Sequence, residues 1–142
     1  MAVKREASMN PIASWLQDVG LLWLRILMGL GIASHGWQKI FGGQMDRFAA
    51  GIAEMGFPLP GLFAWAAALS ELLGGLLIVL GLGTRAAALF VFATMSIAAF
   101  IRHAPDPFSK KELALAYWTM AGLLILAGAG RFSLDALLKK RR

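Results

Sequence analysis

The sequence predicts an all-α integral membrane protein whose helices form a four-helix bundle. Hydrophobic residues make up 58% of the chain and charged residues 15%, and the mean hydropathy is +0.67. An ordinary soluble domain carries about 25% charged residues. Four apolar segments are separated by short connections rich in charged residues, glycine and proline. We therefore expect a single transmembrane domain over residues 1–142, with spans at about 17–36, 60–82, 85–103 and 111–130.

Proline, glycine and charged residues mark where each span begins. Asn10 followed by Pro11 is typical of a helix N-cap with proline at the first helical position. No small-residue cleavage site follows the first apolar segment, so we expect this span to remain uncleaved. The second span begins near Pro60, the third follows the tight turn at residues 81–84, and the fourth follows the proline-containing connection 104–111.

The longest connection, residues 36–59, separates the first two spans. Within it Phe48, Ile52 and Met55 recur at helical spacing while charged residues take other positions. This pattern predicts a short amphipathic helix that lies on the membrane surface.

The basic charge of the chain predicts its orientation in a bacterial inner membrane. The sequence holds 14 Lys and Arg against 8 Asp and Glu. With four spans, the side that carries both termini holds eight of the basic residues and the opposite side five, so both termini are expected in the cytoplasm. A basic run beside an apolar segment is typical of contact with anionic lipid headgroups, which argues against nucleic acid as the partner. That run is Lys139, Lys140, Arg141 and Arg142.

The chain contains no cysteine. This excludes disulfides, thiolate zinc sites, iron–sulfur clusters, covalently attached haem and thiol relays, because each needs cysteine sulfur. Any redox role must therefore operate without cysteine chemistry.

Arg25 and Glu71 are the ionisable residues expected deepest in the bilayer. A charge at that depth is costly, so each is a functional candidate unless a partner explains it. The first two spans run in opposite directions, and at about 1.5 Å per residue both positions fall in the middle third of the bilayer. We predict an intramembrane ion pair between Arg25 and Glu71, which either only fixes helix register or forms a proton or ligand site. Small residues would let the two helices approach closely: Gly29, Ser70, Gly74 and Gly75.

A second polar cluster is expected at the outer face of the membrane. It consists of the residues that end the first and third spans and begin the fourth: His35, Lys39, Arg102, His103 and Glu112. Two histidines with a glutamate could ligate a metal, and two histidines could bind haem, but each histidine stands alone on its helix and no metal site is predicted. Basic side chains near Trp37 and Trp118 suit the carbonyl oxygens and flat ring of a quinone, although these tryptophans and Tyr117 also fit as interfacial anchors.

Helical spacing predicts which residues face the bundle interior. At 100° per residue, Arg25 and Lys39 lie within about 40° of each other, so Lys39 faces the interior more squarely than His35. On the fourth span Glu112, Ala116 and Thr119 form a small and polar stripe that is also expected to face inward.

Several of these motifs together resemble the DoxX family of small four-helix membrane proteins. The resemblance covers residues 21–135 and rests on motifs that occur in the family's order. They are Leu24-Arg25-Ile26 with Gly29 and Gly31, then His35-Gly36-Trp37-Gln38-Lys39, then Glu71-Leu-Leu-Gly74-Gly75, and Gly83-Thr84-Arg85. Glu112 and the segment Gly130-Arg131-Phe132-Ser133-Leu134-Asp135 also look like the family's fourth helix and its exit.

The resemblance implies a link to quinone-dependent redox chemistry. Members and relatives of the family are associated with quinone-linked sulfur oxidation, with quinone or catechol stress and with membrane oxidoreductase complexes. We therefore expect a small subunit or accessory factor of quinone-linked redox chemistry, with a quinone as the candidate cofactor and no catalytic residue assigned. The alternatives are a non-enzymatic scaffold that binds a partner protein, or a pathway for a small solute or protons through Arg25 and Glu71. The expected partners are the lipid bilayer, membrane or redox proteins and a second copy of the chain.

Overall fold

A computed structural model describes residues 10–141, and over that range the chain is helical without strands. This described part of the chain folds into six α-helices, which confirms the predicted all-α class. The fourth helix continues directly into a π-helical turn at Ala98–Arg102. The helices are α1 (Pro11–Phe41), α2 (Met45–Glu54), α3 (Pro60–Leu80), α4 (Thr84–Ile97), α5 (Phe108–Ala127) and α6 (Leu134–Lys140).

Within residues 10–141, three helical segments are long and apolar enough to cross a membrane. They are α1, α3 and the continuous segment Thr84–Arg102 formed by α4 and the π-helical turn. Helix α5 is as long as a span, but it carries Lys110, Lys111 and Glu112 near its start. The apolar remainder of α5 spans about 22 Å, which is shorter than a bilayer core of about 30 Å. The fourth span therefore stays a prediction.

The start of α1 follows the predicted capping pattern. The side chain of Asn10 accepts a hydrogen bond from the backbone N–H of Ile12 at 3.0 Å, and Pro11 is the first helical residue. The helix continues to Phe41 and is longer than the predicted span 17–36 at both ends. This extra length carries Lys39 beyond the apolar part of the helix.

Helices α1 and α3 pack antiparallel with close backbone contact. A Cβ atom placed on Gly75 would lie 2.6 Å from the carbonyl oxygen of Gly29, and one placed on Gly36 would lie 2.7 Å from that of Ala68. Any side chain at Gly29, Gly36 or Gly75 would therefore push the helices apart. The predicted small-residue contact between the two helices is confirmed for Gly29 and Gly75.

The other two small residues of that prediction face α4 instead. Gly74 lies against the side chain of Val91. Ser70 accepts a hydrogen bond from the hydroxyl of Thr94 at 3.2 Å. Helix α3 therefore packs between α1 and α4, and α5 packs against α4 and also contacts α1.

The packed core lies in the half of the bundle nearest the α3–α4 turn. Its fully buried members include Met28, Ile32, Ile78, Val91 and Leu124. Large apolar side chains are exposed on the outer faces of the long helices, as expected where lipid is the solvent.

Two short helices close the bundle at opposite ends. Helix α2 lies where the amphipathic helix was predicted, and it buries Ile52. Helix α6 was not predicted; its N-cap residue Ser133 accepts a hydrogen bond from the N–H of Ala136 at 3.2 Å. We call the turn 81–83, the loop 128–133 and α6 the α6 end. The α2 end comprises α2, the last turns of α1, the π-helical turn, the loop 103–107 and the start of α5.

Candidate functional site

A cavity of about 720 Å³ lies at the α2 end, enclosed by α1, α2, α3, α4, α5 and the π-helical turn. This volume is within the range of small-molecule sites, which is about 300–1,000 Å³. Aliphatic and aromatic side chains form most of the wall, among them Ile32, Phe48, Ile52, Phe63 and Met95. Polar and charged residues also line the cavity: His35, Lys39, Gln44, Arg47, Ser70, Glu71, Thr94, Arg102, His103, Lys110 and Tyr117.

The strongest polar contact in the cavity is an ion pair between Lys39 and Glu71. The Nζ atom of Lys39 lies 2.6 Å from Oε1 and 2.5 Å from Oε2 of Glu71. Glu71 is 2% exposed and Lys39 is 19% exposed, so the pair is largely removed from solvent. The same Nζ atom lies 4.2 Å from the ring centroid of Phe48, which adds a cation–π contact to α2. Lys39 thereby joins α1, α2 and α3.

Arg25 is not the partner of Glu71, which corrects the predicted ion pair. Its guanidinium group donates to backbone carbonyl oxygens instead. Nε donates to Ile78 at 3.0 Å and Nη2 to Val79 at 3.2 Å, both in the last turn of α3. Nη1 donates to Phe132 at 3.0 Å and also to Ala129, both in the loop after α5.

The register of α1 against α3 explains why these two charges do not meet. Gly29 faces Gly75 and Gly36 faces Ala68, so Arg25 lies level with the end of α3. Glu71 is seven residues before Ile78, or about 10 Å along the helix axis. The predicted pair assumed that each span starts where its apolar segment starts. This assumption placed Arg25 deeper in the bundle than the structure does. Lys39 reaches Glu71 because long helical side chains point back toward the N-terminus.

His35 and Tyr117 form an aromatic contact across the cavity wall between α1 and α5. Their ring centroids are 5.9 Å apart with an interplanar angle of 82°, an edge-to-face arrangement. Tyr117 is 9% exposed, so it is not the interfacial anchor that the sequence also allowed. Gly31 lies directly opposite the Tyr117 hydroxyl, and this small residue makes room for the ring.

The inward face of α5 differs from the predicted stripe. Glu112, Ala116 and Thr119 are exposed, whereas Tyr117, Ala121 and Leu124 are buried. The buried residues follow the spacing i, i+4, i+7 of an apolar helix face, and this was the signal that could have found Tyr117. Glu112 does not line the cavity and is not brought together with the other predicted residues.

Arg102 and His103 lie at the rim of the cavity, and each has an acidic partner. Arg102 pairs with Glu54 of α2 at 3.0 Å, with both side chains exposed. His103 Nδ1 lies 2.7 Å from Asp106 Oδ2. This hydrogen bond from His103 lowers the pKa of Asp106 below its usual value. The structure thus brings His35, Lys39, Arg102 and His103 to one cavity.

Neither tryptophan considered for a ring site faces the cavity. Trp37 is exposed and packs against Phe41, with ring centroids 4.3 Å apart and the rings tilted by 40°. Trp118 stacks on Phe92 and donates from Nε1 to Ser96 at 3.0 Å. Among residues 10–141 no three His, Asp or Glu side chains are grouped to hold a metal ion.

Apolar helices, a charge pair within the bundle and a ligand-sized cavity at one end define a small integral membrane protein of the all-α class. The model of the DoxX family matches residues 20–104. The chain belongs to the DoxX family.

Two relatives support this assignment over nearly the whole chain. The chain is 35% identical over 133 residues to Inner membrane protein YqjF of Escherichia coli (strain K12), covering 89% of this chain and 97% of that protein. It is 33% identical over 144 residues to a protein of Haemophilus influenzae named only Uncharacterized protein, covering 96% and 92% respectively. No solved structure matches the chain. The similarity to a bacterial inner membrane protein agrees with the apolar helices and indicates an inner membrane location.

Proposed function

We propose that this protein binds a quinone-type ring in the cavity at the α2 end and serves quinone-linked redox chemistry as a small subunit or accessory factor. The cavity carries this proposal, because its wall is mostly apolar and polar groups converge on it from several helices. Family membership is compatible with the proposal but does not specify a ligand.

The side chains of the cavity fit the chemistry of a quinone. A flat ring needs apolar and aromatic surface, which Phe48, Phe63 and Tyr117 provide. Its two carbonyl oxygens need hydrogen-bond donors, and His35 and Tyr117 line the cavity without another side-chain hydrogen bond among the described residues. A bound quinone supplies reversible two-electron, two-proton chemistry.

The Lys39–Glu71 ion pair forms a fixed and charge-balanced part of the cavity wall. Both carboxylate oxygens of Glu71 accept from Lys39, so the pair presents little net charge to a neutral ring. His35 lies next to this pair on α1 and is the residue suited to donate a proton to a ring oxygen or accept one from it. Arg102 and His103 border the rim, where a ring substituent would leave the cavity.

Two substitutions to phenylalanine within one turn of α1 test this proposal. His35→Phe removes the donor from the cavity, whereas Trp37→Phe changes an exposed residue outside it. The full chain is purified in mild detergent, its quinone is extracted and quantified, and its visible spectrum is recorded before and after reduction. We expect near-stoichiometric quinone in the parent and in Trp37→Phe, and at least about tenfold less in His35→Phe, a loss of about 1.4 kcal/mol in binding.

A parent protein without quinone, or equal retention in His35→Phe, would contradict the proposal. If the purified parent protein contained no cofactor, the alternative of a scaffold that binds a partner protein would be favoured. The alternative of a solute or proton pathway through Arg25 and Glu71 loses its basis, because the two residues lie at different depths and Arg25 is held by carbonyl oxygens.

A further inference from the structure

A second cleft, of about 710 Å³, lies at the α6 end of the bundle. It is bounded by the start of α4, the loop 128–133 and α6. Three basic residues from these three elements line it: Arg85, Arg131 and Lys139. All three side chains are exposed and accessible to a ligand from solvent or from the lipid headgroup layer, and Arg85 also donates from Nη2 to the carbonyl oxygen of Leu126 at 3.1 Å.

The two carboxylates in this cleft are already occupied by the protein. Asp135 accepts from the backbone N–H groups of Gly83 at 2.8 Å and Thr84 at 3.0 Å. Asp18 accepts from the backbone N–H of Arg131 at 2.9 Å, and its other oxygen lies 4.0 Å from Nε of that arginine. These contacts fix the loops and offset two positive charges, but they do not neutralise the cleft.

The α6 end carries an excess of positive charge, which the α2 end lacks. Among the described residues, the α6 end and the adjoining starts of α1 and α4 hold five exposed basic residues and two acidic ones. The α2 end, with Glu71 included, holds five of each. The excess of positive charge is therefore concentrated around the cleft: Arg85, Arg131, Lys139, Lys140 and Arg141.

Apolar side chains lie beside these cations. Phe132, Leu137 and Leu138 are 43%, 56% and 52% exposed. A free inorganic anion would make no use of them, whereas the acyl chains of a phospholipid would cover them. Arginine side chains bind phosphate oxygens through a planar fork of N–H donors, which suits the headgroup of the same molecule.

We propose that the cleft at the α6 end binds an anionic phospholipid, with the headgroup phosphate held by Arg85, Arg131 and Lys139 and the acyl chains against the exposed apolar residues of α6 and its preceding loop. This site is independent of the ligand in the α2-side cavity. It assigns α6 to the membrane surface, where basic residues and anionic lipids attract one another.

Titration of the detergent-solubilised full chain tests the site. Short-chain phosphatidylglycerol, short-chain phosphatidylcholine and inorganic phosphate are added separately, and unfolding is followed by tryptophan fluorescence, since the chain has five tryptophans. We expect phosphatidylglycerol to stabilise the protein at concentrations at least about tenfold below those of the other two. Loss of one basic contact at a membrane surface weakens binding by about fivefold.

A matched pair of variants locates the effect. Lys139→Gln removes one charge from the cleft, and Lys111→Gln removes one from the α2 end, where Lys111 donates to the carbonyl oxygen of Ala104. Lys139→Gln should raise the half-saturating concentration of phosphatidylglycerol about fivefold, and Lys111→Gln should leave it within about twofold. Equal effects of the two variants, or equal stabilisation by phosphatidylcholine, would overturn the proposal. Equal stabilisation by inorganic phosphate would also overturn it, since the site would then hold a free anion.

Discussion

The two ends of the bundle accommodate buried charge in different ways. At the α2 end Lys39 and Glu71 neutralise each other inside a cavity. At the α6 end Arg25 is 1% exposed and is neutralised by no carboxylate at hydrogen-bonding distance among the described residues; backbone carbonyl oxygens surround it instead. Another matched pair of residues could replace Lys39 and Glu71. The carbonyl oxygens around Arg25, in contrast, need several N–H donors arranged as in a guanidinium group. The comparison assigns helix anchoring to Arg25 and leaves the ligand-sized cavity at the α2 end, beside the Lys39–Glu71 pair.

The largest effect is expected for Arg25→Leu. It leaves the carbonyl oxygens of Val79, Ala129 and Phe132 without their donor, whereas that of Ile78 keeps the N–H of Gly81, and each buried unpaired polar group costs about 1–3 kcal/mol. We expect a loss of more than about 4 kcal/mol in the free energy of unfolding, measured by denaturant titration in detergent. In the double variant Arg25→Leu/Glu71→Leu the two losses should add, because the residues do not contact each other. If the double variant were more stable than either single variant, Arg25 and Glu71 would be coupled as an ion pair, and this outcome would contradict the structure.

The next effect concerns Lys39→Leu. It leaves Glu71 buried without a cation, which costs about 3–5 kcal/mol. The double variant Lys39→Leu/Glu71→Leu should recover most of that stability, because an apolar pair replaces a buried ion pair at little cost. A thermal unfolding series of the parent, both single variants and the double variant gives the coupling energy. If the double variant were no more stable than Lys39→Leu, the ion pair would not explain why Lys39 and Glu71 are buried.

A smaller effect is expected at Asp135, which caps α4 from the neighbouring helix. Burial raises the pKa of this carboxyl, but the hydrogen bonds from Thr84 and Gly83 outweigh burial and lower it. A lowered folded pKa means stability that is present above the unfolded value of about 3.9 and is lost as the pH falls through the folded value. The protection factor for hydrogen exchange at the start of α4, which compares the observed rate with the intrinsic rate at the same pH, should therefore fall below about pH 4 in the parent.

The variant Asp135→Ala isolates this contribution from other carboxyls. At the start of α4 this variant should show lower protection from exchange than the parent already at neutral pH. The expected loss of stability is about 1 kcal/mol, as is typical of a missing helix cap. If its exchange below pH 4 changed as steeply as that of the parent, the acid sensitivity would belong to another carboxyl, with Asp106 the next to test.

The smallest effect on stability belongs to the ion pair between Arg102 and Glu54. Both side chains are exposed, so its loss costs about 0.2–1 kcal/mol. Because the pair ties α2 to the π-helical turn over the cavity, Glu54→Gln should speed the labelling of a single cysteine at Ala67, a cavity residue, by a water-soluble maleimide. The chain has no cysteine of its own, so the reporter is unambiguous. Glu112→Gln, at the same end but outside the cavity, should leave the labelling rate unchanged.

The fold class followed from local properties of the chain. Apolar length, proline and glycine positions and helix-capping residues act over a few residues, and they predicted the start of α1 at Pro11 and a helix near Phe48. Three candidate spans and the DoxX family assignment agree with that prediction. The sequence motifs also identified Arg25, His35, Lys39 and Glu71 as residues that need a structural or functional explanation.

Only the tertiary structure decided which of these residues meet. Facing positions on α1 and α3 depend on helix register, and a shift of two turns moves a side chain by about 10 Å, so Glu71 meets Lys39 and Arg25 meets carbonyl oxygens. The rotation of α5 turned Tyr117 toward the cavity and Glu112 away from it. Composition and periodicity determine that helices form and which are apolar, but register and rotation are set by contacts between residues far apart in the chain.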